Sequence, residues 1–271
     1  MDNEVLVSLN GVKKSFGHHE VLSDITFDVH KGDIFGVIGR NGCGKTTIFK
    51  LLLGLSPSNG GTIAIDGSEN NKQLTHARRK VGFSITPCFF DYMTARQNLQ
   101  YYCTIKGVKG KQEIERVLKI VGLDGVRTKY KGFSLGMKQR LGIANAIMGN
   151  PELVILDEPT NGLDPQGIAD IRHLIKTLNE KYGMTIIISS HILSELEHTA
   201  TRFAIVNDGK IAALLTSKDL LELNDKSNIV VRTEDALIAK DVLEKNGIKV
   251  AEIAPTGSLE DYYFKLVGGK D

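Results

Sequence analysis

The sequence predicts an α/β fold, with short buried strands alternating with amphipathic helices. Three observations predict it. Ile34–Ile38 is an apolar run of strand length that leads into a glycine-rich loop and then an apolar helix. Leu153–Leu156 is a second such run, and it ends in Asp157-Glu158. Between them, from about residue 86 to residue 150, the texture is helical, with few β-branched runs and glycine stops at Gly107, Gly122 and Gly149.

The elements follow in order. Residues 1–35 read as strands and turns. Val5–Leu9 alternates, Asn10-Gly11 is expected to turn, Val21–Val29 is rich in β formers, and Lys31-Gly32-Asp33 turns again. A helix runs from about Lys45 to Leu53, where Gly54 can cap it. Thr62–Ile65 and Val81–Ile85 read as further short strands. After the helical stretch and Leu153–Leu156, a helix spans about Gln166–Lys181. Ile168, Ile171, Leu174, Ile175 and Leu178 share its apolar face. Thr185–Ser189 is a strand, a helix lies near Leu193–Ala200, and a hairpin turns at Asp208-Gly209, a pair suited to positive φ. From residue 216 to 271 the pattern shifts to a small appendage. Strands are expected near Ile229–Arg232 and Ile248–Ile253, with helices at Asp235–Asn246 and from Ser258.

Composition narrows the classes. The chain has 271 residues, 41% of them hydrophobic and 24% charged, which suits a folded domain plus a small addition and excludes a disordered protein. The 34 Lys and Arg nearly balance the 32 Asp and Glu, so no electrostatic case exists for a nucleic-acid binder. No apolar run approaches the roughly 18–20 residues that span a bilayer, and the acidic start MDNE does not resemble a signal peptide. Cys43, Cys88 and Cys103 lack C-x-x-C spacing, as expected in a reducing cytosol.

Residues 39–47, GRNGCGKTT, match G-x-x-x-x-G-K-[ST]. Phosphate oxygens need several backbone N–H groups on a tight loop, and glycines permit that approach. The following helix adds its N-terminal N–H groups and the positive end of its dipole. Gly39, Asn41, Gly42, Cys43 and Gly44 therefore form the expected cradle. Lys45 reaches the β- and γ-phosphates, Thr46 binds Mg²⁺, and Thr47 bonds a phosphate. Asp157, at the end of a buried strand, holds the Mg²⁺ shell. Glu158 follows it and is the expected general base for an attacking water. These residues predict ATP and Mg²⁺ as cofactors.

Between the two motifs lies Phe133-Ser134-Leu135-Gly136-Met137-Lys138-Gln139-Arg140, and Ser134 is a good helix N-cap. Asn161-Gly162-Leu163-Asp164 and His191 follow in the chain. With these five elements in order, residues 1–215 resemble the ATP-binding subunit of an ABC transporter. The resemblance implies a P-loop NTPase (ABC ATPase) core with an antiparallel β subdomain, an inserted helical subdomain at about 86–150 and a small α+β C-terminal appendage at 216–271. It also implies that Phe16 stacks on adenine and that His191 is the switch histidine bonded to the γ-phosphate. By the same resemblance, Ser134 and Gly136 are expected to contact a nucleotide held by another copy, and Asp164 to line the interface between copies. The implied partners are a separately encoded integral membrane permease and a second ATP-binding cassette, as a homodimer in the ATP-bound state. The implied location is the cytoplasmic face of the membrane, with no nucleic acid bound.

Two departures from the family pattern stand out. Leu135 and Met137 replace a Gly and a Gln of the signature. Thr86 occupies the place of a Gln or Glu, so its expected metal contact is through water. Phe89–Leu99 resembles the bacterial branch that exports antimicrobial peptides such as bacitracin and lantibiotics. There Phe89, Phe90, Tyr92 and Met93 read either as subdomain core or as a socket for the permease. Three functions stay open at this level. The first is a transport ATPase. The second is a soluble non-transport ABC ATPase, although about 90 residues without sustained heptads separate the phosphate loop from Ser134. The third is a cassette with weak hydrolysis that acts as a scaffold.

Overall fold

The computed structural model describes residues 4–85, 88–108, 110–197, 199–219, 235–248 and 250. The chain divides into two compact units, Met1–Leu220 and Leu221–Asp271. The first holds β1 (Val5–Phe16), β2 (His19–His30), β3 (Ile34–Ile38), α1 (Lys45–Leu52), β4 (Gly60–Ile65), α2 (Asn71–Arg78) and β5 (Val81–Ser84). It continues with α3 (Ala95–Lys106), α4 (Gly110–Ile120), α5 (Leu135–Ala146), β6 (Leu153–Leu156), α6 (Pro165–Tyr182), β7 (Thr185–Ser190), α7 (Leu193–Glu197), β8 (Arg202–Asn207) and β9 (Lys210–Thr216). In the second unit α8 (Ala236–Lys245) is described, and Gly247 follows it at φ 79°.

The strands described form one sheet in the order β4-β1-β2-β9-β8-β3-β7-β6-β5. β3, β7, β6 and β5 run parallel, while β1, β2 and β4 pair antiparallel at the other end. All five residues of β3 are buried, because helices cover both sides of it. Ile34 and Ile38 face the core that includes Leu99, Ile175 and Phe203, and Phe35 and Val37 face the one that includes Ile48, Phe49 and Ile187. The two-residue alternation of a strand thus joins the two cores through one short segment.

Local chemistry explains the helix ends. Thr94 starts α3 with a capping box, its hydroxyl accepting from the Gln97 amide while Gln97 accepts from the Thr94 amide. Gly107 and Gly183 close α3 and α6 at φ 66°. At the β8–β9 turn Asp208 and Gly209 have φ 44° and 71°, as the hairpin pair predicts.

Some expectations are corrected. Asn10-Gly11 is not a turn. It lies inside β1, where the register on β2 shifts between Leu9 and Val12, and Gly11 takes φ 60° to absorb the extra residue. Chain reversal comes instead at Gly17-His18. Helix α2 has no counterpart in the sequence reading, because among its described side chains Leu74 and Ala77 alone are buried. Its start is set by Asn70, whose side chain accepts from the Gln73 amide. The helix after β7 ends at Glu197, short of Ala200. Thr86, the strand expected at 229–232, the rest of the strand expected at 248–253 beyond Ile248 and Val250, and the helix expected from Ser258 lie outside the described residues.

The seam between β5 and α5 is tight. A Cβ at Gly82 would sit 2.0 Å from the Ala146 carbonyl oxygen and 2.9 Å from Pro151 Cγ. Gly82→Ala must therefore push α5 off the sheet. Overpacking of this kind costs about 1–3 kcal/mol, and a lowered denaturant midpoint at unchanged m-value is the expected readout. An unchanged midpoint would mean that α5 yields freely.

Candidate active site

The site is assembled where parallel strands end together. β3 pairs β7 from Ile34–Ile186 to Ile38–Ser190, and β6 pairs β7 up to Leu156–Ile188. The loop after β3, the carboxylates after β6 and the histidine after β7 consequently emerge side by side, at the edge where α/β sheets bind ligands.

The loop geometry explains its glycines. Gly42 and Gly44 have φ 83° and 112°, in the left-handed region that side chains resist. Gly39 is required for a different reason, since a Cβ there would lie 2.4 Å from the Val206 carbonyl oxygen. Cys43 is buried beneath the loop and Asn41 is exposed upon it. Helix α1 starts at Lys45 with no side-chain cap and no acidic residue in its first turn. Its dipole end is thus free to meet an anion. Thr46 and Thr47 lie in that turn, both half-buried.

Lys45 is only 5% exposed. Its ammonium donates to the carbonyls of Gly39 (2.7 Å) and Arg40 (3.2 Å) and pairs with Glu158 Oε1 at 3.2 Å. Thr46 Oγ1 donates to Asp157 Oδ2 at 2.7 Å. The other side of Glu158 lies 3.3 Å from His191 Nδ1. Lys45, Thr46, Asp157, Glu158 and His191 thus form one connected group.

Sequence reasoning missed Ser189. Its hydroxyl donates to Asp157 Oδ1 at 2.6 Å and accepts from the Glu158 amide at 2.8 Å. One side chain therefore orients both carboxylate-bearing residues. Its trace in the sequence is the hydroxyl pair Ser189-Ser190 between an isoleucine run and His191. Glu158 needs such support, because it holds φ 46°, which is uncommon outside glycine.

The remaining expected residues stand elsewhere. Ser134 caps α5, accepting from the Met137 amide at 3.2 Å, and Asp164 caps α6, accepting from the Gly167 amide at 3.0 Å. Together with Gly136, Leu135 and Leu163 they line a cleft of about 510 Å³. None of the residues around Lys45 lines that cleft. Phe16 ends β1, 54% exposed, with Lys14 Nζ 4.8 Å from its ring centre. The aromatic segment splits. Phe89 is buried against Tyr102 and Tyr130, whereas Tyr92 is 65% exposed and Phe90 packs with it and with exposed Tyr101. Met93 is half-buried.

Comparison with known proteins adds to this geometry. The family described as ABC transporter matches residues 22–161. The chain is 38% identical to the bacitracin transport ATP-binding protein BcrA of Bacillus licheniformis, over 97% of this chain and 98% of the relative. It is 41% identical to the lantibiotic transport ATP-binding protein SrtF of Streptococcus pyogenes, over 76% of this chain and 89% of the relative. Among solved structures it resembles a dimeric ATP-binding cassette in a post-hydrolysis state bound to ADP and Pi. That similarity has a TM-score of 0.69 and 25% identity, and covers 78% of this chain and 99% of the other.

Proposed function

This chain belongs to the ABC transporter family as one of its ATP-hydrolysing subunits, and we propose that it powers a separate membrane permease that exports an antimicrobial peptide or drug. The observation that carries the chemistry is the group in which Glu158 bridges Lys45 and His191. ATP enters at the free N-terminus of α1, and its phosphates take from Glu158 the one Lys45 N–H that the loop carbonyls do not hold. The released carboxylate takes a proton from the attacking water, and His191 bonds the γ-phosphate. Thr46 and Asp157 offer oxygen atoms only, a donor set that fits Mg²⁺. Bound there, Mg²⁺ would neutralise charge on the β- and γ-phosphates. Thr86 remains a proposed contact to its water shell.

Ser134, Gly136 and Asp164 line a separate cleft, and that separation supports their service to a nucleotide on a second, identical cassette. Phe16 stacks on adenine. The exposed rings of Tyr92 and Tyr101, with half-buried Phe90 packed against both, form the permease contact, as interfaces favour aromatic residues. No helix among the described residues is long and apolar enough to cross a membrane. Attachment at the cytoplasmic face of the membrane therefore runs through the permease.

The test has two arms. Capture of the tagged chain from detergent-solubilised membranes of its host is expected to bring down a polytopic membrane protein. Loss of the chain is expected to raise the host's sensitivity to bacitracin or to a lantibiotic. Capture of ribosomes or DNA-repair proteins instead, with sensitivity unchanged, would overturn the export reading.

A further inference from the structure

One buried carboxylate near the site has no part in the chemistry above. Glu195 lies on α7 and is 6% exposed. Its Oε2 accepts two hydroxyl bonds, from Thr160 Oγ1 at 2.7 Å and from Ser190 Oγ at 2.8 Å. Among the described residues no ion pair reaches it. A buried carboxylate without a cation is costly, and an apolar residue would serve packing better. The two hydroxyls show what the carboxylate does.

Thr160 lies two positions after Glu158, in the turn closed by the Asn161 amide on the Glu158 carbonyl at 3.1 Å. Ser190 lies immediately before His191, and its oxygen also accepts from the Ile192 amide at 3.0 Å, spanning the histidine. Glu195 therefore joins the turn that carries the base to the loop that carries the histidine. Ser189 supplies the first tie between these segments, through Asp157 and the Glu158 amide. Glu195 supplies the second, on the far side of Glu158. A residue held at φ 46° keeps that conformation only when its surroundings over-determine it.

We propose that Glu195 is a positioning residue for ATP hydrolysis, clamping Thr160 to Ser190 so that Glu158 and His191 stay in register. The inference rests on the reading of Glu158 as the base and His191 as its neighbour at the γ-phosphate. Glu195 acts through the two hydroxyls it holds, those of Thr160 and Ser190. Its removal leaves every reacting group present but loosens their spacing, so it acts on turnover rather than on binding. Misplacement of about 1 Å at a reacting group can cost up to about 10²-fold in rate.

The experiment measures kcat per ATP-binding site and ATP affinity for Glu195→Ala, Glu195→Gln, Thr160→Val and the Glu195→Ala/Thr160→Val double variant. Glu195→Ala is expected to lower kcat by about 10-fold or more with ATP affinity unchanged. Glu195→Gln, whose amide oxygen can accept both hydroxyls, recovers most of the turnover. Thr160→Val lowers kcat as well, and the double variant is no slower than Glu195→Ala alone, because both changes cut the same tie. A role in packing alone would reduce melting temperature and the fraction of binding-competent protein, leave kcat per site intact, and give additive losses. Wild-type kcat per site in Glu195→Ala, or additive losses in the double variant, overturns the proposal. If Glu195→Ala does not fold, Thr160→Val decides, since it removes one hydroxyl and leaves the carboxylate in place: wild-type kcat there overturns the proposal and a loss supports it. Glu158→Gln run alongside separates the two ideas. Turnover by that variant would reject the base assignment, whereas an inert Glu158→Gln beside a fully active Glu195→Ala rejects only the clamp.

Discussion

Glu158→Gln is expected to stop turnover while leaving ATP bound. The substitution keeps the length of the side chain and the hydrogen bond that the backbone N–H donates to Ser189 Oγ, so the turn at φ 46° is preserved. It removes the carboxylate that can take a proton from water, and general-base catalysis is worth about 10²–10⁴-fold. It also removes the negative charge that engages Lys45 at 3.2 Å. Lys45 then has one competitor fewer for the phosphates, so ATP affinity should hold or rise while phosphate release falls by about 10²-fold or more. With ATP retained, the associated form of two cassettes should accumulate. Phosphate release and size-exclusion chromatography in MgATP read both effects. Wild-type release would reject Glu158 as the base.

Lys45→Ala is expected to have the opposite signature, loss of binding before chemistry. The ammonium is buried and fixed by two carbonyls of its own loop, so its position is set before ATP arrives. Its third N–H, which faces Glu158, is the one left for phosphate, and one charge-assisted hydrogen bond at about 1.5–3 kcal/mol corresponds to a loss of ATP affinity of about 10- to 10²-fold. Lys45→Arg should not restore it, because a planar guanidinium cannot occupy a niche shaped for a compact ammonium between Gly39 and Arg40 carbonyls. Titration with a fluorescent ATP analogue measures the loss, and the melting temperature shows whether the loop remains folded. Unchanged affinity in Lys45→Ala would place the phosphates elsewhere.

Much of this architecture is legible in the sequence, for identifiable reasons. β3, β6 and β7 are apolar runs with both faces buried, and a run without polar interruptions declares itself. The phosphate loop is legible because its backbone demands glycine at Gly39, Gly42 and Gly44, so composition records conformation. Asp157 and Glu158 are legible because they terminate a buried strand. Helix α2 escapes because it buries too little for any periodicity. The Asn10-Gly11 pair misleads because positive φ serves a bulge as well as a turn. Ser189 and Glu195 escape for another reason. Ser189 reaches Asp157 32 positions away and Glu195 reaches Thr160 35 positions away, and a hydroxyl–carboxylate contact leaves no spacing rule in the chain. Motif residues are visible one at a time, and the bonds that hold them together need the sheet.

The strand order also has a consequence for the time course of folding. β3 carries the phosphate loop, yet its sheet neighbours are β7 and β8, both made late in the chain. At roughly 5–20 residues per second of synthesis, the loop leaves the ribosome several seconds or more before Ser190 can pair with Ile38. During that interval its apolar strand has neither neighbour, and closing so long a loop is entropically slow. The nucleotide site is thus among the last features of the nascent chain to exist, and ATP has no completed site to bind until β7 has joined the sheet.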